Sequence, residues 1–176
     1  MKYTHKIAVL SDIFSISTLM DLAIEGNMAK LLSEEQLEAA KESMGLDTQL
    51  IKDQTYFVVY AGQILVGCGG FSYRKTLFGG DHTPNRSDGL LDPILDPAKI
   101  RAMYTHPLWA RKGVGTYILK LAEKESEKRG FKSFELMATV SGKLLYEKRD
   151  YQITEQIDYL SKVGNKVPMY RMMKKI

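Results

Sequence analysis

Arg111-Lys112-Gly113-Val114-Gly115-Thr116 stands between a short β-forming run at 100–105 and a segment whose apolar residues Val114, Ile118, Leu121 and Ala122 share one helical face. A strand, two closely spaced glycines and a helix start bring unpaired backbone N–H groups and the positive helix end to one point, which suits an anion. Glycine at 113 and 115 lets a phosphate approach the main chain with no Cβ in its way. Arg111 and Lys112 add positive charge, and Thr116 adds a hydroxyl donor in the first turn. Two commoner phosphate loops fail on spacing. Lys112 precedes the glycines, whereas the nucleoside-triphosphate loop needs lysine and then serine or threonine after its second glycine. Ile118 stands where a dinucleotide fingerprint needs a third glycine, and that fingerprint belongs at the start of a domain.

Working outward, residues 3–10 read as a first strand, with Ser11-Asp12 as N-cap of an amphipathic helix from Ile13 whose face is Ile13, Ile16, Met20 and Ile24. Ser33 and Gln36 have capping-box spacing, so a second helix runs from Ser33 to a stop at Met44-Gly45. Residues 55–60, a turn at Ala61-Gly62-Gln63 and residues 64–73 form an antiparallel hairpin. Tyr56, Phe57 and Tyr60 are expected to alternate between core and surface. Residues 75–98 show turn dipeptides and no periodicity, a long loop of the kind that is functional or disordered. After the strand at 100–105 and the turn at His106-Pro107, the helix from Gly115 ends at Gly130, with Glu123 on its polar side and Glu125 paired to Arg129. A strand at 131–139, a short helix at 142–148 and strands at 151–157 and 167–174 complete the chain. The expected architecture is one α/β domain over 1–176, with a central mixed, mostly antiparallel sheet of about seven strands flanked by about four helices.

The chain has 176 residues, 44% of them hydrophobic, which is enough for one core and too little for two ordinary domains. No basic leader or long apolar run is present, so a cytoplasmic protein without a membrane partner is expected. The lone Cys68 lies in an apolar strand and reads as a small core residue. A net charge of +4 suits an anionic ligand. The basic residues are scattered among acidic ones and form no stripe, which argues against nucleic acid. His5, His82 and His106 lack metal-ligand spacing, so no metal is expected.

The loop resembles the signature of the GNAT (GCN5-related) N-acetyltransferases, Gln/Arg-x-x-Gly-x-Gly/Ala, which Gly113 and Gly115 match. Ala110 stands at the leading position, and the positive residue follows as Arg111. Ile100-Arg101-Ala102-Met103-Tyr104-Thr105-His106-Pro107 is similar to that family's strand and Val-His-Pro turn. Leu145-Tyr146-Glu147-Lys148-Arg149-Asp150-Tyr151 is similar to its Phe-Tyr-Glu-Lys-x-Gly-Phe segment, with Asp150 at the glycine position. The resemblance implies acetyl-CoA as cosubstrate and a strand at 100–105 that splays from the strand at 131–139. It also implies pantetheine pairing by the main chain of Met103, Tyr104 and Thr105, and a diphosphate held by Arg111, Lys112, Gly113, Val114, Gly115 and Thr116.

Acetyl transfer to an amine needs a donor for the developing oxyanion, a route for the amine proton and an acid for the leaving thiolate. Tyr146 is the candidate acid, against the plainer reading of a core tyrosine in a short helix. No carboxylate lies in 100–105, which leaves water or a long-loop residue such as Asp81 or His82 to take the proton. Trp109 either packs beside the cofactor or is structural. The acceptor expected is a primary amine of a small molecule or peptide, and a homodimer is compatible with the sequence. The competing function is an acyl-CoA-binding sensor or partner protein with weak or no catalysis.

Overall fold

In the computed structural model, which describes residues 2–176, the run after Thr55 forms β2 (Tyr56–Ala61) and turns through Gly62 into β3 (Ile64–Ser72). This hairpin sits in a seven-stranded sheet ordered β1-β2-β3-β4-β5-β7-β6, with β1 (Thr4–Ile7), β4 (Ala98–Thr105), β5 (Ser133–Thr139), β6 (Gln152–Leu160) and β7 (Lys166–Lys175). Every neighbouring pair is antiparallel except β4 and β5. The sheet is therefore mixed and mostly antiparallel, as expected. The helices are α1 (Ile13–Met28), α2 (Glu34–Ser43), α3 (Thr48–Lys52), α4 (Val114–Glu127) and α5 (Lys143–Glu147), of which the one-turn α3 was not foreseen.

Helices cover both faces, so Tyr56 and Phe57 are both buried rather than split between core and surface. One core joins α1, α2 and α3 to Tyr56, Val58, Cys68 and Tyr104; the other faces include α4 against Val59 and Val66, and Leu119 with Phe57 and Phe71. Cys68 is buried as expected, and burial pushes its thiol up to about 12. On the α4 side β3 presents Gly67 and Gly69. A Cβ at 67 would come within 2.6 Å of Val114 Cγ1, and one at 69 within 2.7 Å of Ile118 Cγ2. The missing side chains let the first turns of α4 lie directly on the sheet, which fixes where its N-terminus points.

Several local expectations change. A 3-10 turn, Leu10–Asp12, precedes α1, and Asp12 accepts from the Val9 N–H (2.9 Å) and pairs with Lys6 instead of capping the helix. The Ser33–Gln36 capping box forms, and Gly45 follows α2 at φ 137°. Glu125 pairs with Lys128, while the Arg129 guanidinium lies over Phe71 and Tyr73. Glu123 is buried, because the Tyr151 hydroxyl (2.9 Å), just before β6, and the Lys174 ammonium (3.1 Å) of β7 reach it.

The segment between β3 and β4 has almost no regular structure, yet it is tied down by ion pairs. Asp53 binds Arg74, and the buried Asp47 accepts from both Arg86 and Arg101 (2.8 Å each). Arg101 also donates to the carbonyls of Thr76 and Gly79. An unpaired buried charge is costly, so these groups hold the loop where their partners are.

Candidate active site

Strands β4 and β5 pair only at Ala98↔Phe134 and Lys99↔Glu135. There the Lys99 ammonium and the Arg171 guanidinium share the Glu135 carboxylate; burial alone would raise that carboxyl, but the two cations hold it below its ordinary range. From Ile100 onward the strands part, and a cleft of about 570 Å³ passes through the sheet at the gap. Its floor includes the edge of β4 from Ile100 to Thr105, and its opposite wall is β5 with α5. The expected splay is present.

Strand β4 is bulged inside the cleft. Its register against β3 slips between Cys68 and Gly70, and Ala102 has φ 50°. The Tyr56 hydroxyl donates to the Ala102 carbonyl (2.7 Å) and holds the bulge from the α1 side. The Asn27 side chain of α1 donates to the Thr105 carbonyl at 2.8 Å, and the Gly45 N–H donates to the Tyr104 hydroxyl at 2.9 Å. Nothing in the sequence pattern marks Ala102 or Asn27, because a bulge and a cross-element amide contact leave no periodicity.

At the end of β4 the chain turns through His106 and a 3-10 turn (Pro107–Trp109) to the glycine loop. Gly113 is the N-cap of α4 at φ 88°, with open space where a Cβ would be. Arg111 also has a positive φ of 63°. Gly115 has a packing reason beside any binding one, since a Cβ there would come within 2.9 Å of Leu145 Cδ2. Of the expected binding residues, Met103, Tyr104, Thr105, Arg111, Gly113, Gly115 and Thr116 line the cleft. Lys112 and Val114 do not. The Lys112 ammonium lies over the Trp109 ring at 5.2 Å, and Val114 packs with Val59, Val66 and Ile118. Trp109 is itself structural, packing edge-on to Tyr3.

Tyr146 lines the cleft from α5, 8% exposed, with its ring edge-on to Tyr151. Burial holds its phenol well above the usual range, so it stays protonated at neutral pH. Its hydroxyl partner is the Met103 sulfur, 3.6 Å away on β4, and a thioether is a weak acceptor. The hydroxyl and the β4 edge thus meet across the opening. Asp150 takes φ 69°, the conformation that a glycine at that position would supply, so this departure from the family pattern leaves the turn intact.

One group was missed by sequence reasoning. Arg149 follows the Tyr146 helix and reaches back to the first turn of α4, where its Nη2 lies 3.5 Å from Thr116 Oγ1. Its Nε is buried without a hydrogen-bond partner, and the side chain lines the same cleft. An orphaned guanidinium donor beside a helix N-terminus fits a diphosphate. With Arg111 and Lys148 it makes the α4 end of the cleft cationic, which agrees with a coenzyme A ligand.

Among the described residues, no carboxylate or imidazole lines the cleft. Asp81 accepts from the Thr48 N–H (3.0 Å) and His82 is bound to the Lys41 carbonyl (2.9 Å), so neither long-loop residue is placed to take the amine proton. His106 is a turn residue whose Nδ1 accepts from the Leu108 N–H.

Comparison with known proteins agrees with this geometry. The sequence matches none of the curated proteins. Among solved structures, the fold is similar to a GCN5-related N-acetyltransferase from Rhodopseudomonas palustris (TM-score 0.73, 19% identity, covering 100% of this chain and 97% of that one). It is also similar to the PaiA N-acetyltransferase of Thermoplasma acidophilum in complex with coenzyme A (TM-score 0.66, 15% identity, 100% of each chain). A GNAT-family acetyltransferase from Streptococcus pneumoniae is a third (TM-score 0.63, 12% identity, 99% and 100%). The model of the acetyltransferase (GNAT) domain matches residues 52–153, more than half of the sequence, and the chain belongs to that family.

Proposed function

We propose that the chain is an acetyl-CoA-dependent N-acetyltransferase that acts on a primary amine of a small molecule or peptide by direct attack, with Tyr146 as general acid. The observation that carries this reading is the Tyr146 hydroxyl, protonated, weakly engaged and facing β4 across the gap where the strands part. When bound, acetyl-CoA supplies a thioester whose carbonyl carbon takes the amine nitrogen as the C–S bond breaks. The unpaired edge of β4 at Met103, Tyr104 and Thr105 orients the pantetheine arm and offers main-chain N–H groups to the developing oxyanion. The N–H groups of the glycine loop, with Arg111 and Arg149, hold the diphosphate. Tyr146 gives its proton to the departing sulfur and regains one from solvent.

The test is thiol release from acetyl-CoA with a panel of amines. Tyr146→Phe is expected to lower turnover by about 10- to 1000-fold with little change in CoA affinity, because it removes the proton donor and keeps the ring. Unchanged turnover in Tyr146→Phe, with loss of both rate and melting temperature in Tyr146→Ala, would return Tyr146 to a core role. Tight CoA binding with no thiol release from any amine supports the sensor reading, which the lack of a carboxylate or imidazole lining the cleft favours.

A further inference from the structure

Away from the glycine loop, the cleft opens on the α1 face between α1, the end of α2 and the long loop. That mouth is walled by Ile24, Met28, Leu31, Met44, Leu77 and Phe78. Its polar side chains are each engaged in at least one hydrogen bond within the fold. Asn27 donates to the Thr105 carbonyl, Ser43 to the Ala40 carbonyl (3.1 Å), and Arg101 to Asp47 and two carbonyls, while the Tyr104 hydroxyl accepts from Gly45. No acidic side chain of the described residues lines it. A polycation would lose its hydration there without gaining a counter-charge, and a peptide would bring more backbone amides than the few remaining groups, such as Asn27 Oδ1, could satisfy. Methionine and leucine walls instead adapt to an apolar body of irregular shape.

Resting on the acyltransferase reading above, we infer that the acceptor is a small primary amine carried on an uncharged apolar body, an alkyl- or arylalkylamine, which reacts as the free base without a protein general base. An apolar site favours the neutral amine over its ammonium form, so the proton passes to water before the nitrogen attacks. The new C–N bond then forms as the C–S bond breaks. The second amine proton leaves to solvent, and the sulfur departs as the thiol.

Two measurements test this on the full chain. The first is calorimetric titration, with CoA present, of two amide products, N-acetylphenethylamine and N1-acetylspermidine. The phenethyl amide is expected to bind at least tenfold more tightly. Met44→Glu, which puts a carboxylate into this half-buried wall, should narrow that ratio by tenfold or more. The second is the pH dependence of kcat/KM for phenethylamine and for its β,β-difluorinated analogue, whose ammonium is more acidic. The rate is expected to climb about tenfold per pH unit up to each amine's own pKa, so the break moves with the acceptor. A break fixed at one pH for both amines, tighter binding of the spermidine amide, or kcat/KM for spermidine or a short peptide above that for phenethylamine would overturn the inference. Absence of CoA binding in a separate titration would instead remove the acyltransferase reading.

Discussion

At the α4 end of the cleft the charged lining groups are Arg111, Lys148 and Arg149, set beside a helix N-terminus and a glycine N-cap. At the α1 end the walls are apolar, and the nearest guanidinium, Arg101, is buried and paired with Asp47. The first end is built from contiguous sequence: the loop, the helix it starts and the short helix after β5. The second is assembled from α1, the end of α2 and the loop before β4, which carry no shared motif, and its loop is held in place by buried ion pairs. One end is thus coded by a motif and the other by tertiary structure, and substitutions should separate them.

The largest effect should come from Asp47→Ala. It leaves Arg101 buried without its carboxylate and frees Arg86, for an expected loss of about 3–5 kcal/mol of stability in chemical denaturation. Because these pairs anchor the segment carrying Leu77 and Phe78, the variant should lose affinity for an apolar amide product while CoA affinity changes less than about threefold, RT ln 3 being under 1 kcal/mol. Equal damage at both ends would show that the two are one cooperative unit.

Next in size is Gly113→Val. A β-branched residue at φ 88° is strained whatever the space around it, and the strain falls on the N–H groups that face the ligand. CoA affinity is expected to fall by about 100-fold or more, roughly 3 kcal/mol, with a lower melting temperature, while the apolar amide binds nearly as before. This departs from what the sequence suggests, that a side chain at 113 would act only by filling the space of the phosphates. Gly115→Val should cost less than Gly113→Val, because what its Cβ meets is the flexible tip of Leu145.

The same contrast explains what could be read in advance. The loop, the capping box at Ser33, the hairpin and the splayed strand were legible, because each depends on neighbouring residues or on a pattern repeated across a family. Val114 and Lys112 do not line the cleft, because a motif names positions and not side-chain directions: Val114 is needed against Gly67, and Lys112 turns to Trp109. Glu123 was misread for a similar reason, since its partners Tyr151, just before β6, and Lys174, on β7, lie where no helical periodicity can see them. The apolar mouth, the Ala102 bulge and Asn27 were not legible at all. Each is a meeting of elements distant in sequence.

Arg149 and Arg111 give the finest test, since both face the cationic end but differ in setting. Arg111 is exposed on the loop, whereas Arg149 is partly buried, rests near Thr116 and has a buried Nε with no partner of its own. A charge-assisted bond from a desolvated donor keeps more of its strength, so Arg149→Ala should weaken CoA by about 10-fold, or 1–2 kcal/mol. Arg111→Ala should cost less than that at physiological salt, because a charge contact made by an exposed side chain is weakened by water and salt and the backbone donors remain. Raising the salt should then erase most of the Arg111 effect and leave most of the Arg149 effect. The comparison needs only CoA titrations of two folded variants at two ionic strengths. Equal losses with equal salt dependence would mean that Arg149 acts as a diffuse charge, and that its unpartnered Nε is not a ligand contact. A larger, salt-resistant loss in Arg149→Ala would place the diphosphate against α5 as well as α4, and would tie the anchoring of the ligand to the helix that carries Tyr146.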